Sequence, residues 1–111
     1  MKKLLLTLLA VFLLSATAHA DALKIDRVWT SGDYGYALVT YKNITSESFN
    51  SSVTIECTAL DSRGNKININ SRSFYAHEYG PIKPGFKGTL KIPVGLYGAT
   101  MKSMECSCQQ R

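Results

Sequence analysis

From Phe49 to Ala59 the chain alternates with a period of two. Phe49, Val53, Ile55, Cys57 and Ala59 fall on one side with Ser51 among them, and Ser52, Thr54, Glu56 and Thr58 on the other. Successive side chains of a strand point to opposite faces. This register therefore describes a β-strand with one apolar face, and it places Cys57 on the core side. A helix would need apolar residues at i, i+3 and i+4. After residue 20 no window offers a capped amphipathic helix of useful length.

The same period recurs along the chain, punctuated by turn residues. Leu23 to Trp29 reads as a strand whose phase changes near Arg27, the mark of a bulge or a strand end. A turn, Ser31-Gly32-Asp33-Tyr34-Gly35, leads into Tyr36–Asn43, with Ala37, Val39 and Tyr41 on one face and Tyr36, Leu38 and Thr40 on the other. Asp61 to Asn65 is a hairpin turn with Gly64 suited to positive φ. Lys66–Phe74 returns with Ile67 and Ile69 expected inward and Lys66, Asn68, Asn70 and Arg72 outward. After a looser stretch from Tyr75 to Gly85, Phe86–Val94 is a strand in which Pro93, lacking an N–H, marks an edge or an end. Met101–Cys108 closes the chain, with Met104, Cys106 and Cys108 on one face. Six or seven short strands of this kind predict an all-β fold, a small antiparallel β-sandwich, with a small barrel as the alternative.

Residues 1–20 read as a secretory signal peptide. Lys2 and Lys3 precede an apolar run from Leu4 to Leu14 broken by Thr7, and Ala18-His19-Ala20 supplies the small-x-small cleavage pattern. The run is about half the roughly 20 residues a membrane span needs. No twin arginine precedes it and no cysteine follows it, so export by the general secretory route is expected, to the periplasm or beyond. The domains are then 1–20, the leader, and 21–111, a single domain with formal charge (13 − 2) − 8 = +3. That is mildly basic and is not a nucleic-acid-binding composition.

Three cysteines remain: Cys57, Cys106 and Cys108. In an oxidising compartment they are disulfide candidates, with Cys57 bonding to Cys106 or Cys108 favoured over a Cys106–Cys108 bridge, whose Cα atoms, about 6.5–7 Å apart in a strand, stand at the edge of bridging geometry. Closing a loop of about 50 residues removes unfolded-state entropy worth about 4 kcal/mol in the chain-entropy model. One cysteine is left over, as a buried thiol, a reactive site or the link of a disulfide-linked dimer.

Asn43, Phe49, Val53-Thr54-Ile55, Ala59-Leu60-Asp61, Gly64 and Pro84-Gly85 together resemble the immunoglobulin-like sandwich called FxLYD in bacterial exported proteins. The resemblance spans residues 37–94. Ala59 and Leu60 stand where the pattern has Leu and Tyr, and the cysteines near the C-terminus are additional. It implies an immunoglobulin-like fold of an adhesive or structural kind, with no active site common to the family.

No catalytic set emerges, and an enzyme is not expected. The mature chain holds one histidine, His77, and no Gly-x-Ser-x-Gly turn. His77 and Glu78 would point to opposite faces of an extended segment. No cofactor is implied. A zinc site lacks its usual spacing, whereas Cys106 and Cys108, with Cys57, Met101 or Met104, are soft sulfurs that suit Cu(I) or thiol redox chemistry. The other candidate is a binding surface. Lys83, Lys87 and Lys91 form a short basic stripe, and Trp29, Tyr34 and Tyr36 are aromatics suited to an interface. The partner class is a macromolecule of the cell envelope or extracellular space, such as anionic polysaccharide, lipid headgroups or an acidic protein. Asn43-Ile44-Thr45 and Asn50-Ser51-Ser52 match the glycosylation acceptor pattern, which matters only in a eukaryotic host.

Overall fold

A computed structural model describes residues 14–18 and 21–110, without the side chains of residues 15, 17 and 110. The lysines of the leader, most of its apolar run and the Ala20 cleavage point lie outside the described residues. Among the described residues there are seven strands: β1 (Ser15–Ala18), β2 (Leu23–Ser31), β3 (Tyr34–Lys42), β4 (Ser52–Leu60), β5 (Lys66–Tyr75), β6 (Lys87–Gly95) and β7 (Ser103–Gln110). A single helical turn, α1 (Ala76–Tyr79), follows β5. The strands form two sheets, ordered β1-β7-β4-β5 and β2-β3-β6. Every pairing is antiparallel except β1 with β7, which is parallel. The chain is therefore a small β-sandwich, as its alternation implies.

The core lies between the sheets and is built from the expected inward positions. Ala37, Val39 and Tyr41 of β3, and Val53, Ile55, Cys57 and Ala59 of β4, are fully buried. Ile92 and Val94 of β6 and Met104 and Cys106 of β7 join them. Each large aliphatic side chain so buried contributes about 1.5–3 kcal/mol relative to exposure. One end is filled by rings: Phe74 meets Tyr41, Tyr79 and Phe86 at centroid distances of 6.2, 5.7 and 5.4 Å. Gly88 makes this packing feasible, because a Cβ there would stand 2.5 Å from the Phe74 ring.

Asn43, 1 % exposed, ties the loops at that end. Its Nδ2 donates to the carbonyls of Glu47 and Ile82, and its Oδ1 accepts from the amide and hydroxyl of Thr45. Its main-chain N–H donates to Phe86 O, and its carbonyl accepts from Gly85. The side chain's hydrogen-bonding capacity is thus fully used, as a buried amide requires.

Two expectations are corrected. The hairpin between β2 and β3 is tighter than read: the strands run to Ser31 and from Tyr34, leaving only Gly32 and Asp33 in the turn. Gly32 takes φ 59° at the first turn position, which two-residue hairpins reserve for glycine. On β5 the faces are exchanged. Asn68 and Asn70 lie opposite the inward-facing Ala59 and Cys57. Ile69 is 38 % exposed, and Ile67 packs against the core through the irregularity that interrupts the register between Ala59 and Leu60. Ser15–Ala18, within the expected leader, pairs with β7 as a short strand.

Candidate functional site

The strongest convergence of chemistry-bearing side chains is the outward face of the β2-β3-β6 sheet. Strand register builds it row by row. Trp29 stands opposite Tyr36, and Tyr36 opposite Pro93. The next row is Arg27, Leu38 and Lys91. Further along the same face Lys42 pairs with Lys87, and at the other end Ser31 pairs with Tyr34. The bulge between Ile25 and Arg27 sets this phase, turning Arg27 and Trp29 to the outward side together.

The rings and cations are in contact. Trp29 and Tyr36 stack with centroids 5.3 Å apart and planes 16° from parallel, and Tyr34 lies 6.1 Å from Tyr36. The Arg27 guanidinium sits 4.6 Å from the Trp29 ring centroid, and the Lys91 ammonium 5.6 Å from that of Tyr36. Each such cation–π contact is worth about 0.5–1 kcal/mol at an exposed site. Asp26 is the acid beside this face; its carboxylate accepts from the Thr40 hydroxyl at 2.5 Å and lies 3.8 Å from Lys24. The face is aromatic and positive.

Beside it runs a groove of about 350 Å³, lined by Asp33, Tyr34, Asn68, Ile69, Asn70, Pro93, Gly95 and Tyr97. Its floor is a polar clasp between the sheets, in which Asn68 Nδ2 donates to Gly95 O and Asn70 Nδ2 to Pro93 O. Tyr97, 80 % exposed, forms its rim at φ 51°, a conformation uncommon for a residue with a Cβ. Asp33 secures that loop: its carbonyl accepts from Leu96 N–H and its carboxylate from Gly98 N–H.

Five of the six residues singled out as a binding surface therefore meet on one face: Trp29, Tyr34, Tyr36, Lys87 and Lys91. Lys83 does not join the register; it stands in the turn ahead of β6, where its carbonyl accepts from Phe86 N–H. Tyr34 sits on β3 rather than in the turn, because the hairpin is tight. Arg27, Leu38, Pro93 and Tyr97 were not anticipated. The phase change near Arg27 was the available signal for the first; nothing in the sequence marks Tyr97.

The sulfurs divide. Cys57 and Cys106 are bonded, their Cα atoms 4.1 Å apart, and Cys108 keeps a half-buried thiol. Burial pushes the Cys108 thiol up from its ordinary value, disfavouring the thiolate that redox or metal chemistry uses. Among the described residues no three of His, Cys, Asp and Glu cluster as metal ligands would. His77 and Glu78 come within 3.8 Å because α1 is helical rather than extended, and both are exposed. No helix among the described residues is long and apolar enough to cross a membrane. No family model, curated protein or solved structure matches the chain.

Proposed function

We propose that this chain is an exported, non-enzymatic binding module, freed of residues 1–20. Its ligand is an anionic polysaccharide of the cell envelope or extracellular space, bound on the outward face of the β2-β3-β6 sheet. The observation that carries the reading is the adjacency of two rows, Trp29-Tyr36-Pro93 and Arg27-Leu38-Lys91. The aromatic row offers apolar contact to the C–H groups of a sugar, and the cations held beside it meet the carboxylates or sulfates. The FxLYD-type resemblance supports a binding or structural role over an enzymatic one. The Cys57–Cys106 bridge suits an oxidising compartment.

Trp29 is the single tryptophan of the chain, so its fluorescence reports on this face directly. Leader-free protein titrated with oligogalacturonate should show a saturable change that weakens with added salt. Neutral dextran should give none. Arg27→Ala/Lys91→Ala should weaken binding at least tenfold while leaving the melting temperature within a few degrees. Equal responses to both glycans, or none to the polyanion, would reject the assignment.

A further inference from the structure

The groove beside the aromatic face has a chemistry of its own. Of the residues that line it only Asp33 is charged, and it is an acid. Arg27 and Lys91, the cations of the neighbouring row, are not among its walls. A sugar carboxylate or sulfate placed there would meet a like charge and no counter-charge. The groove therefore disfavours the very units that the cation rows attract.

What it offers instead is amide and ring. A side-chain amide has two N–H donors and one carbonyl acceptor. Asn68 commits one N–H to Gly95 O at 3.1 Å, which leaves the other, with Oδ1, to a ligand. Asn70 gives one N–H to Pro93 O and its Oδ1 accepts from Ser71 N–H, so its second N–H remains. Glycine at position 95 keeps the floor bare: a Cβ there would stand 3.6 Å from Asn68 Nδ2 and 3.8 Å from the Tyr97 ring. Amide and ring thus converge over one backbone position. The bonds from Leu96 and Gly98 to Asp33 brace the chain on both sides of Tyr97 and keep its ring at the rim. At about 350 Å³ the groove falls within the range of small-ligand sites, about 300–1,000 Å³.

Groove and cations lie on one path. Lys91, Pro93 and Gly95 are alternate residues of β6, about 6.5–7 Å apart along its outward face. Tyr34 and Pro93 belong to the face and to the groove alike. Neighbouring pyranose rings can span such a step.

We propose that the groove binds the N-acetylated amino sugar of an anionic polysaccharide in which such units alternate with acidic ones. The inference rests on the glycan-binding face proposed above and names the polymer that face selects. An acetamido group carries one N–H and one C=O, the complement of the acceptor and donor that Asn68 has to give. Tyr97 and the exposed Ile69 supply apolar contact for its methyl group.

Calorimetric titration of leader-free protein with two hexasaccharides tests this: hyaluronan, whose glucuronates alternate with N-acetylglucosamine, and oligogalacturonate. Hyaluronan should bind about tenfold tighter although it carries half as many carboxylates. Tyr97→Asn removes the ring and suits the positive φ, so the melting curve should hold while the preference disappears. Equal affinity for the two glycans in the parent, or a preference that survives in the variant, would overturn the groove assignment and leave the face standing. Silence from both glycans would overturn the face, and this inference with it.

Discussion

Cys57 and Cys106 face each other directly across β4 and β7, each fully buried, and join neighbouring strands of one sheet rather than the two sheets of the sandwich. The bridge closes 49 residues of sequence and so constrains everything from the β4–β5 hairpin to the final strand. Cys57→Ala/Cys106→Ala should lower stability by about 4 kcal/mol, or about 15–30 °C in melting temperature for a domain of this size. Thermal unfolding followed by circular dichroism, with the parent under reducing conditions as a control, measures it.

Asn43 braces the loops at the aromatic end through hydrogen bonds alone. Asn43→Ala removes the Nδ2 bonds to the carbonyls of Glu47 and Ile82, which keep the Thr45 hydroxyl and the Phe49 N–H as donors, and takes from the Thr45 amide its side-chain acceptor; it should destabilise by about 1–3 kcal/mol. Asn43→Asp should be worse despite its similar shape, because it sets a carboxylate oxygen against two carbonyl oxygens. Urea unfolding of the two variants, compared at equal slope, orders them.

Glycine is required at position 88 by contact and not by backbone conformation. Gly88→Ala drives a methyl into the Phe74 ring, itself held by Tyr41, Tyr79 and Phe86, and should cost about 1–3 kcal/mol. Gly95→Ala, on the same strand, meets nothing closer than 3.6 Å and should be nearly neutral. Denaturant midpoints of the pair separate packing from a general effect on β6.

The Cys108 thiol, raised above its ordinary value of 9.0 by burial, should react slowly with iodoacetamide at neutral pH. Its rate should keep climbing as pH passes 9.0, where a free thiol levels off. The linkage sign follows: above the unfolded thiol's pKa the native state holds a proton the unfolded state has lost. Stability from this group is therefore full below that pH and declines as pH rises through the native value. Cys108→Ser should flatten that alkaline loss, read from melting temperatures across the range.

The alternation of β3, β4, β6 and β7 was legible because both the apolar and the polar positions were consistent over nine or so residues. β5 was not, and the reason is physical. Its inward positions meet the open edge of β6, where carbonyls await donors, so amides at Asn68 and Asn70 serve there better than aliphatics. Hydrophobic alternation assigned Ile67 and Ile69 to the inside, and the irregularity beside Leu60 defeats that count. The binding face was half visible: lysine spacing on β6 was plain, whereas the meeting of Trp29 with Tyr36 depends on a turn of two residues inside a stretch with two glycines. Lys83 and Tyr97 show the opposite failure, since loop geometry has no periodic signature.

The amide nitrogen that pins the Asn43 loops is also the atom to which an oligosaccharide would be attached in Asn43-Ile44-Thr45. Both of its hydrogens are committed, to Glu47 and Ile82, and the residue is sealed from solvent. A transferase cannot reach it in the folded chain. Asn50, by contrast, is exposed in the second such triplet. In a glycosylating host, sugar at Asn50 would be compatible with the native sandwich, whereas sugar at Asn43 would identify molecules modified before they folded and barred from closing that end afterwards.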